Sequence, residues 1–243
     1  MPDDPLENQL PELEASPKPA PQTLHALTIA SLCLAVLSLF FFAWIADNVT
    51  QNKTAVFDAT SRGQVHRYAS PRLTSIMMGI SFLGGNGLII AIFGSLFLFI
   101  YLRWRRATLW LVITILGALV LDLTLKYAFH RPRPTPFFGP LPPFYSFPSG
   151  HSLFSFCFYG VLAGLWGGRI RSAWLRTLIW TVAAVLVFAI GLSRIYLGVH
   201  YPSDVIAGYL AATIWVSTLV ALDRLRVHRK SRKKQRAPAV ARR

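Results

Sequence analysis

Six long apolar stretches dominate this chain, and among them only Asp122 carries a formal charge. They are Leu24–Ala46, Leu88–Leu102 with part of the glycine turn before it, Ala107–Leu125, Ser152–Gly168, Thr177–Ser193 and Val205–Leu222. The first has 23 residues, enough to cross a hydrocarbon core of about 30 Å at about 1.5 Å per residue. A soluble domain needs far more polar surface: charged residues make up 14% of the chain, against roughly 25% in an ordinary soluble domain. The expected fold is all-α, a bundle of six transmembrane helices.

The intervening segments organise the rest. Residues 1–23 hold six prolines and five acids without apolar periodicity, and read as a disordered cytoplasmic tail. Residues 24–222 form the membrane domain, and 223–243 a basic cytoplasmic tail. Between Leu73 and Leu102 the cluster Gly84-Gly85-Asn86-Gly87 would break a continuous helix, at about 1 kcal/mol per glycine. Leu73–Leu83 is therefore expected as a short helix on the non-cytoplasmic membrane surface. Gly160, Gly164 and Gly168 suggest a small-residue stripe for close helix contact. Cys33 and Cys157 both fall in apolar stretches and form no disulfide framework.

The net charge of +15 does not indicate a nucleic-acid partner. Ten of the 25 Lys and Arg residues lie between Arg224 and Arg243, and no independent core remains to present a basic face. The charge instead sets orientation. Arg103, Arg105, Arg106, Arg169, Arg171 and Arg176 join the basic tail on one side, the cytoplasmic one by the positive-inside rule. The expected localisation is a bacterial plasma membrane, with both termini inside. Asp47–Arg72, Lys126–His151 and Arg194–Asp204 then face outward.

Those outward segments carry the chemistry. Lys126, Arg133 and Arg194 form a cationic cluster that an anion of two or more charges would hold together, and a guanidinium fork suits phosphate oxygens. Ser149 and Gly150 open the fourth crossing, where the first backbone N–H groups of a helix point at an anion. His200 precedes Asp204 by four residues, so that the carboxylate can fix one imidazole nitrogen and leave the other as an outward lone pair. That arrangement makes a nucleophile or a base. His151 beside the cradle could protonate a departing oxygen. Asp122, four residues before Lys126, could pair with it or merely reach interfacial water. His130 and Arg131 read as membrane-edge anchors without a distinct role.

Eleven specified positions, in order, resemble the three-part signature of the type 2 phosphatidic acid phosphatase superfamily: Lys126-x6-Arg133-Pro134, Pro148-Ser149-Gly150-His151 and Ser193-Arg194-x5-His200-x3-Asp204. Vanadate-binding haloperoxidases are its soluble relatives. The resemblance implies that His200 attacks phosphorus to form a phosphohistidine, with Asp204 orienting it. It implies that His151 protonates the leaving oxygen, and that Lys126, Arg133, Ser149, Gly150 and Arg194 bind phosphate, with no metal and no cofactor.

The expected function is a membrane phosphatase for a lipid phosphomonoester or polyprenyl diphosphate, its partners being that lipid and the bilayer. Two alternatives share the site. One is a phosphotransferase that passes the phosphoryl group to another hydroxyl, the other a non-catalytic lipid-phosphate binder.

Overall fold

A computed structural model describes residues 21–236, with side chains described over 26–227. Residues 1–20 and 237–243, the outer parts of the two expected tails, lie outside the described residues. Among the described residues all regular structure is helical: α1 (Pro21–Thr50), α2 (Ala55–His66), α3 (Pro71–Phe82), α4 (Asn86–Tyr101), α5 (Arg105–Phe129), α6 (Gly150–Gly167), α7 (Ala173–Tyr196) and α8 (Pro202–Arg236). α8 runs as helix beyond the apolar stretch into the basic segment.

The outward faces carry the apolar side chains. Val36 and Phe40 on α1, Phe93 and Phe97 on α4, and Val185 and Phe188 on α7 all stand exposed. Water would not tolerate that surface, whereas lipid makes it the natural exterior. Five segments are long and apolar enough to cross: Ala26–Thr50, Pro71–Tyr101, Arg105–Phe129, Ala173–Tyr196 and Pro202–Val227. The protein is an integral membrane protein. α6, with 18 residues, falls outside that set, and it packs against α5, α7 and α8.

The glycine cluster breaks Pro71–Tyr101 as expected, into α3 and α4. Along α3, Thr74 meets Tyr196, Ser81 meets Arg194 and the following Gly84 lies against Ile190. α3 thus runs antiparallel to the last turns of α7.

The core follows from close approach of small residues. Ala207, Ala211 and Ala212 of α8 and Ala118 of α5 share one cluster with Phe42 and Ile45 of α1, Leu153 of α6 and Phe147 of the α5–α6 segment. Dispersion between well-fitted side chains holds such helices together, since lipid tails are as apolar as the core. The expected stripe on α6 does not supply this fit. A side chain added at Gly160 would meet nothing within 4 Å, because that position faces an open groove between α6, α7 and α8. Close approach is found instead at Gly117 and Gly191, against Trp215 and Tyr209 of α8, and at Gly208, where a Cβ would come within 2.6 Å of the Ser149 carbonyl oxygen. Cys157 is buried, while Cys33 lies on the outer face of α1.

Candidate active site

One end of the bundle gathers the end of α5, the start of α6, the end of α7 and the start of α8. Pro202 opens α8 at a position where its missing N–H costs nothing, and Asp204 follows in the first turn. The Ser149 N–H donates to the Asp204 carbonyl (2.9 Å), which ties the α6 start to the α8 start. That N–H is therefore not open to an anion, and the N–H groups after it in the first turn are the ones without an intrahelical acceptor. The Ser149 hydroxyl is engaged with Ser152, whose Oγ lies 3.1 Å away. Gly150 lies close under the Asp122–Lys126 pair: a Cβ there would stand 3.1 Å from both Asp122 Oδ1 and Lys126 Nζ.

The His200 ring is 1% exposed and held from both sides. Arg133 Nη1 lies 2.9 Å from Nε2, and Asp204 Oδ2 lies 3.3 Å from Nδ1. A guanidinium can only donate, so Nε2 is the acceptor and the ring proton sits on Nδ1, facing the carboxylate. The tautomer is thereby fixed. Burial, followed by the charges of Arg133, Arg194 and Lys126, pushes the His200 imidazole well below its usual 6.5. Nε2 thus keeps its lone pair at neutral pH.

The three cations are not equivalent. Lys126 pairs with Asp122 at 2.7 Å, the i,i+4 contact its spacing allowed, with both side chains largely buried. Arg133 also donates Nε to the Phe144 carbonyl (2.9 Å) and Nη1 to the Val199 carbonyl (3.0 Å), and forms no ion pair among the described residues. Burial draws its guanidinium down from its usual value, against the pull of Asp204 and Asp122. Arg194, 8% exposed, donates to the Ser81 hydroxyl, and its Nε is buried without a partner among the described residues. Two guanidiniums without bonded carboxylates, next to an imidazole lone pair, make a site for a multiply charged oxyanion. His151 completes it from the α6 start. Its ring lies under the α3–α4 turn, where a Cβ at Gly85 would be 3.0 Å from Nε2.

The structure thus brings together all eight residues singled out from sequence: Lys126, Arg133, Ser149, Gly150, His151, Arg194, His200 and Asp204. It corrects the reading of Arg131 as an edge anchor. Its guanidinium turns inward, with Nη1 at 2.6 Å from Asp204 Oδ1 and Nη2 at 2.8 Å from Asp58 Oδ2. Two buried carboxylates outweigh the interface as partners. Asp58 and Ser203 were not visible as site neighbours, because Asp58 stands 145 positions from Ser203 in a segment whose only sequence signal is polarity. His130 does remain peripheral, edge-on to Tyr145.

Sequence and structure comparisons fit this constellation. The PAP2 superfamily profile matches residues 107–227. A phosphatidylglycerophosphatase B of Bacillus subtilis is 31% identical over 180 residues, 71% of this chain and 86% of its own. The chain belongs to the PAP2 superfamily. An undecaprenyl-diphosphatase of Sulfolobus acidocaldarius is 37% identical over 128 residues, 50% of this chain and 57% of that protein. The crystal structure of a transmembrane PAP2-type phosphatidylglycerolphosphate phosphatase from Bacillus subtilis superposes with a TM-score of 0.65 at 28% identity, covering 76% of this chain and 93% of that one. The PAP2 match takes in α5 through most of α8, so the whole cradle and both histidines fall inside it. The Asp58 helix and the α3–α4 turn lie before it.

Proposed function

We propose that this protein is a six-crossing membrane phosphatase that hydrolyses a lipid phosphomonoester or polyprenyl diphosphate through a phosphohistidine, on the non-cytoplasmic face. One observation carries the reading: the His200 Nε2 lone pair, fixed by Asp204 behind it, opens onto Arg133 beside a second guanidinium that also lacks a bonded carboxylate. The substrate phosphate takes the place in front of Nε2, drawing Arg133, Arg194 and Lys126 onto its oxygens. Nε2 attacks phosphorus as the bond to the lipid oxygen breaks, and His151 gives that oxygen a proton. Water then attacks the phosphohistidine, His151 takes its proton, the N–P bond breaks and phosphate leaves. Throughout, the fixed cations stabilise charge that grows on the transferring group.

Relatives named for phosphatidylglycerophosphate and undecaprenyl diphosphate support lipid phosphates as the substrate class. A site at the end of the bundle also suits a head group that reaches water while its tails stay in lipid. In this reading α6 is the sixth crossing, and α3 lies at the outer rim.

The test is purified protein in detergent with chelator, given short-chain phosphatidic acid, phosphatidylglycerophosphate and a polyprenyl diphosphate. Inorganic phosphate should be released. His200→Ala should fall to background, and His151→Ala should slow turnover by about 10²- to 10⁴-fold. Normal turnover by a folded His200→Ala protein would remove the proposed nucleophile.

A further inference from the structure

Behind the catalytic pair lies a second polar cluster that neither the signature nor the cradle uses. Asp58, on α2, is 1% exposed. Its Oδ1 accepts from the Ser203 N–H (3.0 Å), and its Oδ2 accepts from the Ser203 hydroxyl (2.7 Å) and Arg131 Nη2 (2.8 Å). Arg131 Nη1 reaches on to Asp204 Oδ1 (2.6 Å) and the Ser203 oxygen (2.8 Å). The donor directions close: the Ser203 hydroxyl gives its one proton to Asp58 and accepts from Arg131. Asp204 Oδ2 meanwhile accepts from the Tyr201 N–H (3.0 Å) and faces His200 Nδ1. The result is an unbroken line, Asp58 to Arg131 to Asp204 to His200. The Arg131 guanidinium also lies over the Tyr201 ring, 4.1 Å from its centre.

We infer that Asp58 and Arg131 are positioning residues for the proposed phosphoryl transfer, acting on His200 through Asp204; the inference rests on the phosphatase reading above. The charge count shows why both are needed. Arg131 alone beside Asp204 would neutralise the carboxylate that must support positive charge on the imidazole as Nε2 bonds to phosphorus. With Asp58 sharing the guanidinium, the three groups sum to one negative charge, which remains available to His200. Arg131 also fixes the rotation of the Asp204 carboxylate by binding the oxygen that does not face the imidazole. Neither residue bonds to Nε2 or to a cradle cation, so neither should bind the phosphate.

A double-mutant cycle tests this, with Asp58→Asn, Asp204→Asn and the pair assayed on whichever donor the wild type turns over fastest. Asp58→Asn should lower kcat by about tenfold or more, in the range commanded by outer partners of a functional histidine, with KM held within about twofold. In the Asp204→Asn background the same change should cost less than about threefold, since the line is already broken. Unchanged kcat, or costs that simply multiply, would overturn the inference, because a purely structural role gives independent losses. Should Asp58→Asn fail to give monodisperse protein, Ser203→Ala decides. It should lower kcat about threefold at unchanged KM, and an unchanged kcat refutes the inference. A wild type inactive on every donor would remove the phosphatase reading and this inference with it, whereas an active wild type with a normal Asp58→Asn variant removes the inference alone.

Discussion

The reactivity of His200 is set by neighbours from several parts of the chain: Asp204 on its own turn, Arg133 after α5, Arg194 on α7 and Lys126 on α5. Burial acts first on the imidazole and the three cations act in the same direction, against one hydrogen bond at Ser146. A ring held well below 6.5 stays neutral as pH falls, so the nucleophile should persist into mildly acidic solution. Arg133→Gln removes the cation bonded to Nε2 and should let the imidazole protonate at higher pH. The substrate phosphate titrates in the same range, at about pH 6, and Arg133 is one of its proposed ligands, so the imidazole is followed without substrate. The titration midpoint of the His200 ring, read by NMR, should rise in the variant, and an unchanged midpoint would show that Arg133 does not tune His200. Residue identity at this scale was largely legible, because the signature names the groups that the structure gathers at one end of the bundle. Arg131 was not. Its partner Asp58 lies 73 positions away, and an arginine beside a proline at a membrane edge has the same local pattern whether it anchors or bridges.

Elements were legible where hydropathy and turn chemistry agree, as at the glycine break between α3 and α4. They were misread where a pattern has two physical meanings. Spacing of glycines on α6 suggested helix contact, yet Gly160 faces an open groove, while the isolated Gly208 on α8 sits against the α6 backbone. The two positions should respond in opposite ways. Gly160→Ala has space and removes a helix-interior glycine, so it should leave activity intact and add up to about 1 kcal/mol of helix preference. Gly208→Ala puts a methyl 2.6 Å from the Ser149 carbonyl oxygen and 2.9 Å from Ser152 Cβ. Backbone cannot yield as a flexible side chain would, so α8 must move off the α6 start. That should cost about 1–3 kcal/mol and strain the Ser149 N–H to Asp204 carbonyl bond under the catalytic pair. Thermal unfolding in detergent together with phosphate release checks both variants, and a tolerated Gly208→Ala would show that this helix contact does not hold the site together. The helix α2 was missed because a polar segment carries no apolar stripe. Its place is set by Asp58, bonded to Ser203 and Arg131, and by Arg62, which donates to the Thr135 carbonyl (2.8 Å) and the Gly198 carbonyl (3.1 Å) of two other segments.

Taken whole, the molecule is polarised along the bundle axis. The proposed phosphate cradle occupies one end, while Arg106 pairs with Asp223, Arg169 lies over Trp104 and Arg224 reaches the Leu27 carbonyl at the other. Such an asymmetry of Arg and Lys sets how a membrane protein inserts, and on our proposal it puts the basic end in the cytoplasm. The cations at the cradle end do not contradict the rule, because Lys126, Arg131, Arg133 and Arg194 are held inside the fold by Asp122, Asp58, Asp204, the Phe144 and Val199 carbonyls and Ser81, rather than left in short loops where insertion reads charge. Cysteines introduced at the two ends of a Cys33→Ser, Cys157→Ser background make the orientation measurable. Leu141, exposed in the segment between α5 and α6, belongs to the cradle end, and Arg171, exposed between α6 and α7, to the basic end. Leu141→Cys should react with a membrane-impermeant maleimide in intact cells, and Arg171→Cys only after permeabilisation. The reverse pattern would put the cradle on the cytoplasmic side, and a phosphatase built this way would then have to draw its lipid from the inner leaflet.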